Sequence, residues 1–276
     1  MMKLGFPNGS VQDSTVDLFR KVGLDLSVSG RQFKAEIKGL SMFNEAIIMR
    51  PQDIPEAVVD GILDAGLCGW DWVVESGMEN NVEKITELWY GKKTRAAVKV
   101  VVVGKTDKLI DGPDVLVAAE YPNLARTVFP QAKIRFSHGG SEQKVAYLNY
   151  DYAVCVTETG RSIVDNGLKV LRVILKSPIV LIAREQNPKI IRFGELLQGG
   201  LNAEQYVLVK MNVKEKSFSD VIAVIPAFNS PTVNRMKKGG FAIETLVKKS
   251  IMADLLLRLK EKGAEGIISQ DVGMIM

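Results

Sequence analysis

Apolar runs alternate with turn residues and helical patterns through most of the chain. It opens with the apolar run "MKLGFP", a turn at "NGS", and "DSTVDLFRKVG", whose apolar residues have helical spacing up to Gly23. The order recurs in "AIIM", which is followed by a helix with Asp53 as its cap, Glu56 in its first turn and Gly61 as its stop. The strand "AGLCG" and the helix start "WDWVVES" come next. A short helix between two apolar strands favours parallel pairing of those strands, so the pattern predicts an α/β fold.

The alternation of strand and helix starts again near residue 96. "AAVKVVVVGK" is rich in β-branched residues, and "VLVAAE", "AKIRFSH" and "VCVT" are strand candidates that each lead into a helical pattern. "SPIVLIAREQNP" predicts a strand that returns to the first part of the sheet, followed by the helix "KIIRFGELLQGG". We therefore predict a two-lobed, periplasmic-binding-protein-like core, with lobe I formed by residues 1–95 and 178–202 and lobe II by residues 96–177.

The pattern changes again after residue 202. A strand "YVLVKMNV", a helix "SFSDVIAVIP", strands "SPTVNRM" and "FAIETLVKK", a helix "IMADLLLRLKEKG" and a strand "GIISQDV" follow one another. This β-α-β-β-α-β order predicts a ferredoxin-like domain over residues 203–276. Its separateness favours a regulatory or assembly role, although a fold alone assigns no function.

Composition and charge exclude several classes of protein. The 36 basic and 32 acidic residues are spread along the chain without a long run of one sign, which argues against nucleic-acid binding. The apolar runs fall far short of the roughly 20 residues of a membrane helix, and the start lacks a secretion signal, so we expect a cytoplasmic protein that does not enter a membrane. Cys68 and Cys155 predict core thiols, and the single histidine, His138, argues against a zinc site or a Ser-His-Asp triad.

The stretch "VCVTETGRSIVDNG" joins a strand end, a glycine bend and a helix start. Such a bend leaves backbone N–H groups pointing outward, and the start of a helix attracts an anion. Thr157, Thr159 and Ser162 add hydroxyl groups, and Arg161 adds a positive charge. The sequence therefore predicts a phosphate site here. The alternative is an ordinary turn between strand and helix, in which Thr159 caps the helix.

Polar turns follow other predicted strands at the same end, where ligands gather in open parallel sheets. They include "PNGS", Arg50, "GWD" and "GGSE". Glu142 could bind Mg²⁺ that is held mostly by phosphates, or accept sugar hydroxyls, and the alternative is a solvated carboxylate at a helix start. Arg50 could pair with a phosphate or with Asp53.

Three segments, "RPQDIPEAVVDGILDAGLCGWDWVVE", "AAEYPNLAR" and "VTETGRSIVDNGL", together resemble the ATP phosphoribosyltransferase family and occur in that family's order. The likeness runs from residue 3 to the C-terminus, and the last domain resembles the regulatory domain of the family's long form. The resemblance implies transfer of phosphoribosyl from phosphoribosyl pyrophosphate to N1 of ATP. The pyrophosphate leaves together with Mg²⁺. This reaction opens histidine biosynthesis, is inhibited by histidine and needs no protein nucleophile.

The resemblance also assigns residues. The 5-phosphate of the ribose would be held by Thr157, Glu158, Thr159, Gly160, Arg161, Ser162 and Ile163. Glu142, together with the end of a second-lobe strand at Glu120, would face the ribose and the metal. The opposing wall would consist of Asn8, Gly9, Ser10, Arg50 and Asp71, with Arg50 and Glu142 as the catalytic pair. Histidine would bind at Asn212, Ser230 and Thr232.

Some positions depart from the family pattern. Asn8 and Ser10 stand where the family has cations, and Cys155 stands where it has an aspartate. Lys92, Lys93 and Arg95 are the candidates that could replace the missing cations. A catalytically impaired two-lobed sensor or regulatory subunit is therefore a second hypothesis, and a structural protein that binds neither nucleotide nor phosphate is a third. We also expect a homo-oligomer, from dimer to hexamer.

Overall fold

The computed structural model describes residues 2–27, 33–90, 98–226 and 230–276, apart from the side chain of Asn44. The chain divides into two compact units, Met1–Glu195 and Leu196–Met276. The first unit contains two β-sheets and the second contains a third sheet.

The first sheet has seven strands, numbered here in chain order. Across the sheet they are β2 (Asp25–Leu26), β3 (Lys34–Lys38), β4 (Phe43–Met49), β1 (Met2–Pro7), β5 (Ala65–Gly69), β12 (Ile179–Ala183) and β6 (Glu83–Leu88). β1 pairs in parallel with both β4 and β5. The predicted strands "AIIM" and "AGLCG" therefore run parallel, but the expectation that they pair directly is wrong, because the N-terminal strand lies between them. β12 returns to this sheet as predicted and is antiparallel to β5 and β6.

The second sheet has five strands. Across the sheet they are β11 (Lys169–Ser177), β7 (Val98–Gly104), β10 (Tyr152–Thr157), β8 (Leu116–Ala119) and β9 (Lys133–Phe136). β10, β8 and β9 are mutually parallel, so their carboxyl ends meet at one edge. Residues 100–103 of β7 are buried and pack alternately into two apolar clusters. Covering on both faces explains why this strand is apolar throughout.

The helices of the first unit connect these strands. They are α1 (Gln12–Lys21), α2 (Ile54–Val59), α3 (Trp70–Glu75), α4 (Pro122–Val128), α5 (Ser141–Tyr147) and α6 (Arg161–Asp165), and α7 (Pro188–Ala203) leads into the second unit. Asp53 occupies the N-cap of α2 as predicted, but its side chain makes no capping hydrogen bond. Cys68 and Cys155 are buried free thiols, as expected.

The second unit has the predicted β-α-β-β-α-β order. Its elements are β13 (Tyr206–Val213), α8 (Phe218–Val224), β14 (Thr232–Arg235), β15 (Phe241–Lys248), α9 (Met252–Glu261) and β16 (Ala264–Asp271). The sheet order is β14-β15-β13-β16 with antiparallel pairing throughout. Alternate residues of β13 pack with both helices in one apolar cluster, and the residues between them on the other face are half-buried or exposed. In the part of the chain that the structure describes, no helix combines the length and the apolar character that crossing a membrane requires.

Candidate active site

A cavity of about 360 Å³ is lined by residues of both sheets of the first unit. It gathers eight of the residues predicted from the sequence, namely Asn8, Gly9, Ser10, Arg50, Asp71, Glu120, Thr157 and Glu158. It is also lined by residues that were not predicted from the sequence, among them Trp72, Tyr90, Tyr121 and Ser177. The predicted turns after β1, β4 and β5 therefore converge, together with the ends of β8 and β10, as expected for carboxyl strand ends. The predicted turn "GGSE" after β9, which includes Glu142, is not among the described residues that line the cavity.

The bend after β10 continues from the cavity into α6. Gly160 occupies the N-cap of α6 with a left-handed φ of 74°, a conformation that favours glycine. Its N–H donates to Thr157 Oγ1 at 2.8 Å, so this amide is used within the bend. The interpretation of Thr159 as the helix cap is wrong, because Gly160 takes the N-cap position.

The remaining residues of this bend differ in exposure. Thr159, Arg161 and Ser162 are exposed, whereas the side chain of Ile163 is 1% exposed and packs in a core cluster. Arg161 lies 3.8 Å from the carboxylate of Asp165, outside the residues that line the cavity. The backbone N–H groups of the first turn of α6 have no intrahelical acceptors, so they are the groups of this bend that suit an anion.

Asp71 links the two sheets across the cavity. Its Oδ1 accepts a hydrogen bond from the Ser177 hydroxyl at 2.5 Å and its Oδ2 accepts one from the Tyr121 hydroxyl at 2.5 Å. The backbone N–H of Asp71 donates in turn to Ser177 Oγ at 2.8 Å. Burial raises the pKa of Asp71, and the bonds from Ser177 and Tyr121 oppose that rise. Burial and the Asp71 charge raise the pKa of Tyr121, so the phenol keeps its proton and remains the donor.

Glu120 and Glu142 form a second acidic feature, at the end of β8 and the start of α5. Burial raises the pKa of Glu120, the hydroxyl of Ser141 lowers it by donating to Oε1 at 3.1 Å, and the Glu142 charge raises it again. Burial, then the charges of Glu120 and Glu142, raise the pKa of Cys155 to about 12. The thiol is therefore protonated at neutral pH and is no nucleophile.

The acidic residues fit one kind of magnesium site. The described ranges contain no group of three or more His, Cys, Asp or Glu that could hold a metal ion. Mg²⁺ is commonly bound by one or two carboxylates together with substrate phosphates and waters. Glu120 and Glu142 could supply those carboxylates, so the residues present suit an ion held mainly by phosphate and not a protein cage.

Positive charge in the cavity is limited. Among the described lining residues Arg50 is the cation, and the acidic residues of the lining are Asp71, Glu120 and Glu158. Arg50 and Asp53 form no ion pair within the described part of the chain, so the alternative role for Arg50 is not observed. Lys92, Lys93 and Arg95, the predicted replacement cations, lie outside the described residues.

The predicted effector residues lie on the second unit. Asn212, Ser230 and Thr232 are exposed. Asn212 pairs with Ala242 and Thr232 with Glu244 in the ladders on either side of β15. Because directly paired residues share a face, Asn212 and Thr232 lie on the same face of the sheet, opposite the face that packs on the helices.

Comparison with known proteins decides the family. The family model described as ATP phosphoribosyltransferase matches residues 50–198, and the model described as the HisG C-terminal domain matches residues 203–273. The chain belongs to the ATP phosphoribosyltransferase family. The family resemblance and the transferase class predicted from the sequence are therefore confirmed.

Relatives in this family match the whole chain. The ATP phosphoribosyltransferase of Desulforudis audaxviator is 34% identical over 291 residues, covering 100% of this chain and 99% of that protein. The one from Desulfatibacillum aliphaticivorans is 32% identical over 291 residues, covering 100% and 98%. The solved ATP phosphoribosyl transferase (HisG:HisZ) complex from Thermotoga maritima aligns with a TM-score of 0.60 at 22% identity, over 72% of this chain and 97% of that chain. This likeness shows the fold, and the predicted fold class is confirmed.

Proposed function

We propose that the protein transfers phosphoribosyl from phosphoribosyl pyrophosphate to N1 of ATP, the first step of histidine biosynthesis. The observation that carries this proposal is the cavity of a family member in which turns from two sheets bring polar residues together. Two polyanionic substrates must meet there, and an enzyme achieves that by holding them in place and stabilising developing charge.

The bond changes need no group from the protein. The bond between ribose C1 and the pyrophosphate oxygen breaks with its electrons going to oxygen, and N1 of adenine supplies the pair for the new bond to C1. The backbone amides and hydroxyls of residues 157–163 hold the 5-phosphate. Glu120 and Glu142 face the ribose, where negative charge favours the positive charge that develops on the sugar.

The other residues bind and orient. Arg50 contacts a phosphate oxygen, and Asn8, Gly9, Ser10 and Asp71 form the opposing wall. Glu120 and Glu142 would hold Mg²⁺ together with phosphate oxygens. When bound, this ion supplies positive charge that neutralises the departing pyrophosphate.

An absorbance assay for phosphoribosyl-ATP with purified protein tests the proposal. Turnover supports the transferase. Binding of phosphoribosyl pyrophosphate without turnover would replace it with the sensor, which the uncharged Asn8 and Ser10 favour. A thermal-shift screen with no response to nucleotide or phosphate would favour the structural protein.

Inhibition by histidine and homo-oligomer formation belong to the same proposal. Asn212, Ser230 and Thr232 are the proposed effector residues, and the exposure of all three supports access by a small molecule. Loss of histidine inhibition in Thr232→Val, with unchanged turnover, is the expected result. Light scattering of the purified protein measures the number of subunits.

A further inference from the structure

Glu75 is the last residue of α3 and lies outside the residues that line the cavity. Its Oε1 accepts a hydrogen bond from the backbone N–H of Asn123 at 2.8 Å, and its Oε2 accepts one from the N–H of Leu124 at 2.9 Å. The side-chain amide of Asn123 donates to the backbone carbonyl of Glu75 at 2.9 Å. Both backbone donors are first-turn groups of α4, which have no acceptor within their own helix. A carboxylate from the first sheet's helix thus caps a helix of the second sheet.

This cap lies next to the contacts made by Asp71. Asp71 and Glu75 are four residues apart on α3 and so share one face of the helix. Asp71 accepts the Tyr121 hydroxyl, and Trp72 stacks on the Tyr121 ring with 4.5 Å between centroids. Two successive turns of α3 therefore hold the start of α4.

The start of α4 is directly connected to residues of the cavity wall. Glu120 and Tyr121 directly precede Pro122, the first residue of α4, and both line the cavity. A shift of α4 would move Glu120 relative to the wall that Arg50 and Asp71 form on the other sheet. Since a displacement of about 1 Å can cost roughly 100-fold in rate, small shifts of this wall matter.

We propose that Glu75 is a positioning residue of the transferase reaction, which sets the distance between the two cavity walls by capping α4. The inference rests on the proposed function. Glu75 touches neither substrate and acts through Glu120 and Tyr121.

The test compares Glu75→Ala, Glu75→Gln and Asn123→Ala with Glu79→Gln, an exposed carboxylate four residues beyond Glu75. We expect kcat to fall about tenfold in Glu75→Ala while both KM values change less than about threefold, because alignment and not binding is lost. Glu75→Gln keeps one acceptor oxygen and should lie between Glu75→Ala and the wild type. Asn123→Ala should show a smaller loss, and Glu79→Gln none.

Hydrogen exchange measured by mass spectrometry on the same proteins follows the amides of Asn123 and Leu124, which should lose protection in Glu75→Ala. Wild-type kcat in a folded Glu75→Ala protein with faster exchange at these amides would overturn the inference, as would an equal loss in Glu79→Gln. If Glu75→Ala does not fold, the kcat values and amide exchange rates of Glu75→Gln and Asn123→Ala test the inference instead. A wild type without turnover overturns the proposed function and this inference together, whereas an active wild type with unaffected variants overturns the inference alone.

Discussion

The hydroxyl of Tyr121 donates to Oδ2 of Asp71 at 2.5 Å, and both side chains are buried. Tyr121 follows a strand of the second sheet, while Asp71 lies in the first turn of a helix that follows a strand of the first. The bond therefore joins elements of the two sheets within the lining of the candidate site. Asp71 also accepts a hydrogen bond from Ser177, which ends β11 just before the chain crosses back to the first sheet, so Asp71 contacts this crossing as well.

Removing the Tyr121 hydroxyl tests how much this bond contributes to stability. Tyr121→Phe keeps the stack on Trp72 but leaves a buried carboxylate short of a donor, so the free energy of unfolding should fall by about 1.5–3 kcal/mol. Urea denaturation measures the change. Tyr147→Phe removes an exposed phenol hydroxyl that donates to Asn166, and should change stability by less than about 0.5 kcal/mol. Equal effects of the two substitutions would contradict the prediction.

The raised pKa of Glu120 predicts a pH dependence of stability. Because burial and the Glu142 charge raise this pKa above the ordinary 4.5, the folded state binds more protons than the unfolded state just above pH 4.5. The stabilising contribution is complete below 4.5 and is lost as pH rises through the folded pKa. Glu120→Gln removes the titration, so its stability relative to wild type should increase as pH rises from about 4.5 through the folded pKa, as measured by urea denaturation.

Glu142→Gln provides the matched variant for that experiment. It removes the neighbouring charge but leaves Glu120 buried, so it should weaken the pH dependence without abolishing it. A difference in stability between Glu120→Gln and wild type that stays constant over the same pH range would show that the carboxyl is not perturbed.

Much of the central fold follows from the sequence because central strands are covered on both faces. β7, β10 and β12 are therefore apolar runs that stand out from their turns. The edge strands β6 and β11 were not assigned. β6 alternates charged and partly buried positions, and β11 is interrupted by two register shifts. A strand of this kind depends on its partner more than on its own composition.

The candidate site likewise contains some residues that could be predicted from the sequence and others that could not. Arg50, which follows a predicted strand, could be predicted because parallel strands end at one edge of a sheet, and Glu120 was predicted from the family resemblance. Tyr121 and Ser177 could not, because their partner Asp71 lies 50 and 106 positions away in sequence. The signal available for Tyr121 was its place between a strand end and Pro122, which marks a helix start without indicating what the hydroxyl contacts.

Gly160 tests the proposed phosphate site. A side chain with a Cβ at its φ of 74° costs roughly 1–2 kcal/mol, although the space around the position is open. Gly160→Val should therefore distort the bend and weaken the binding of phosphoribosyl pyrophosphate by about tenfold or more, as measured by calorimetry.

Gly167→Val is the control for strain alone. Gly167 has a φ of 68° and similarly open surroundings, but it follows the far end of α6. Both variants should lose similar stability, and only Gly160→Val should lose affinity. Equal loss of affinity in both would mean that general strain, and not the phosphate bend, is responsible.

Arg50 is the cation among the described residues that line the cavity, which makes its charge important for an anionic substrate. A hydrogen bond to a charged group contributes about 1.5–3 kcal/mol, so Arg50→Gln should raise the KM of the phosphate-bearing substrate it contacts by about 10- to 100-fold. Arg20→Gln, which removes an exposed cation paired with Asp17 on α1, should leave both KM values within about twofold of wild type. Added salt should reduce the difference in KM between wild type and Arg50→Gln, because salt screens the charge interaction of Arg50 that only the wild type makes. Unchanged KM values in Arg50→Gln at low salt would remove Arg50 from the binding site and leave the cations at residues 92, 93 and 95 to hold the phosphates.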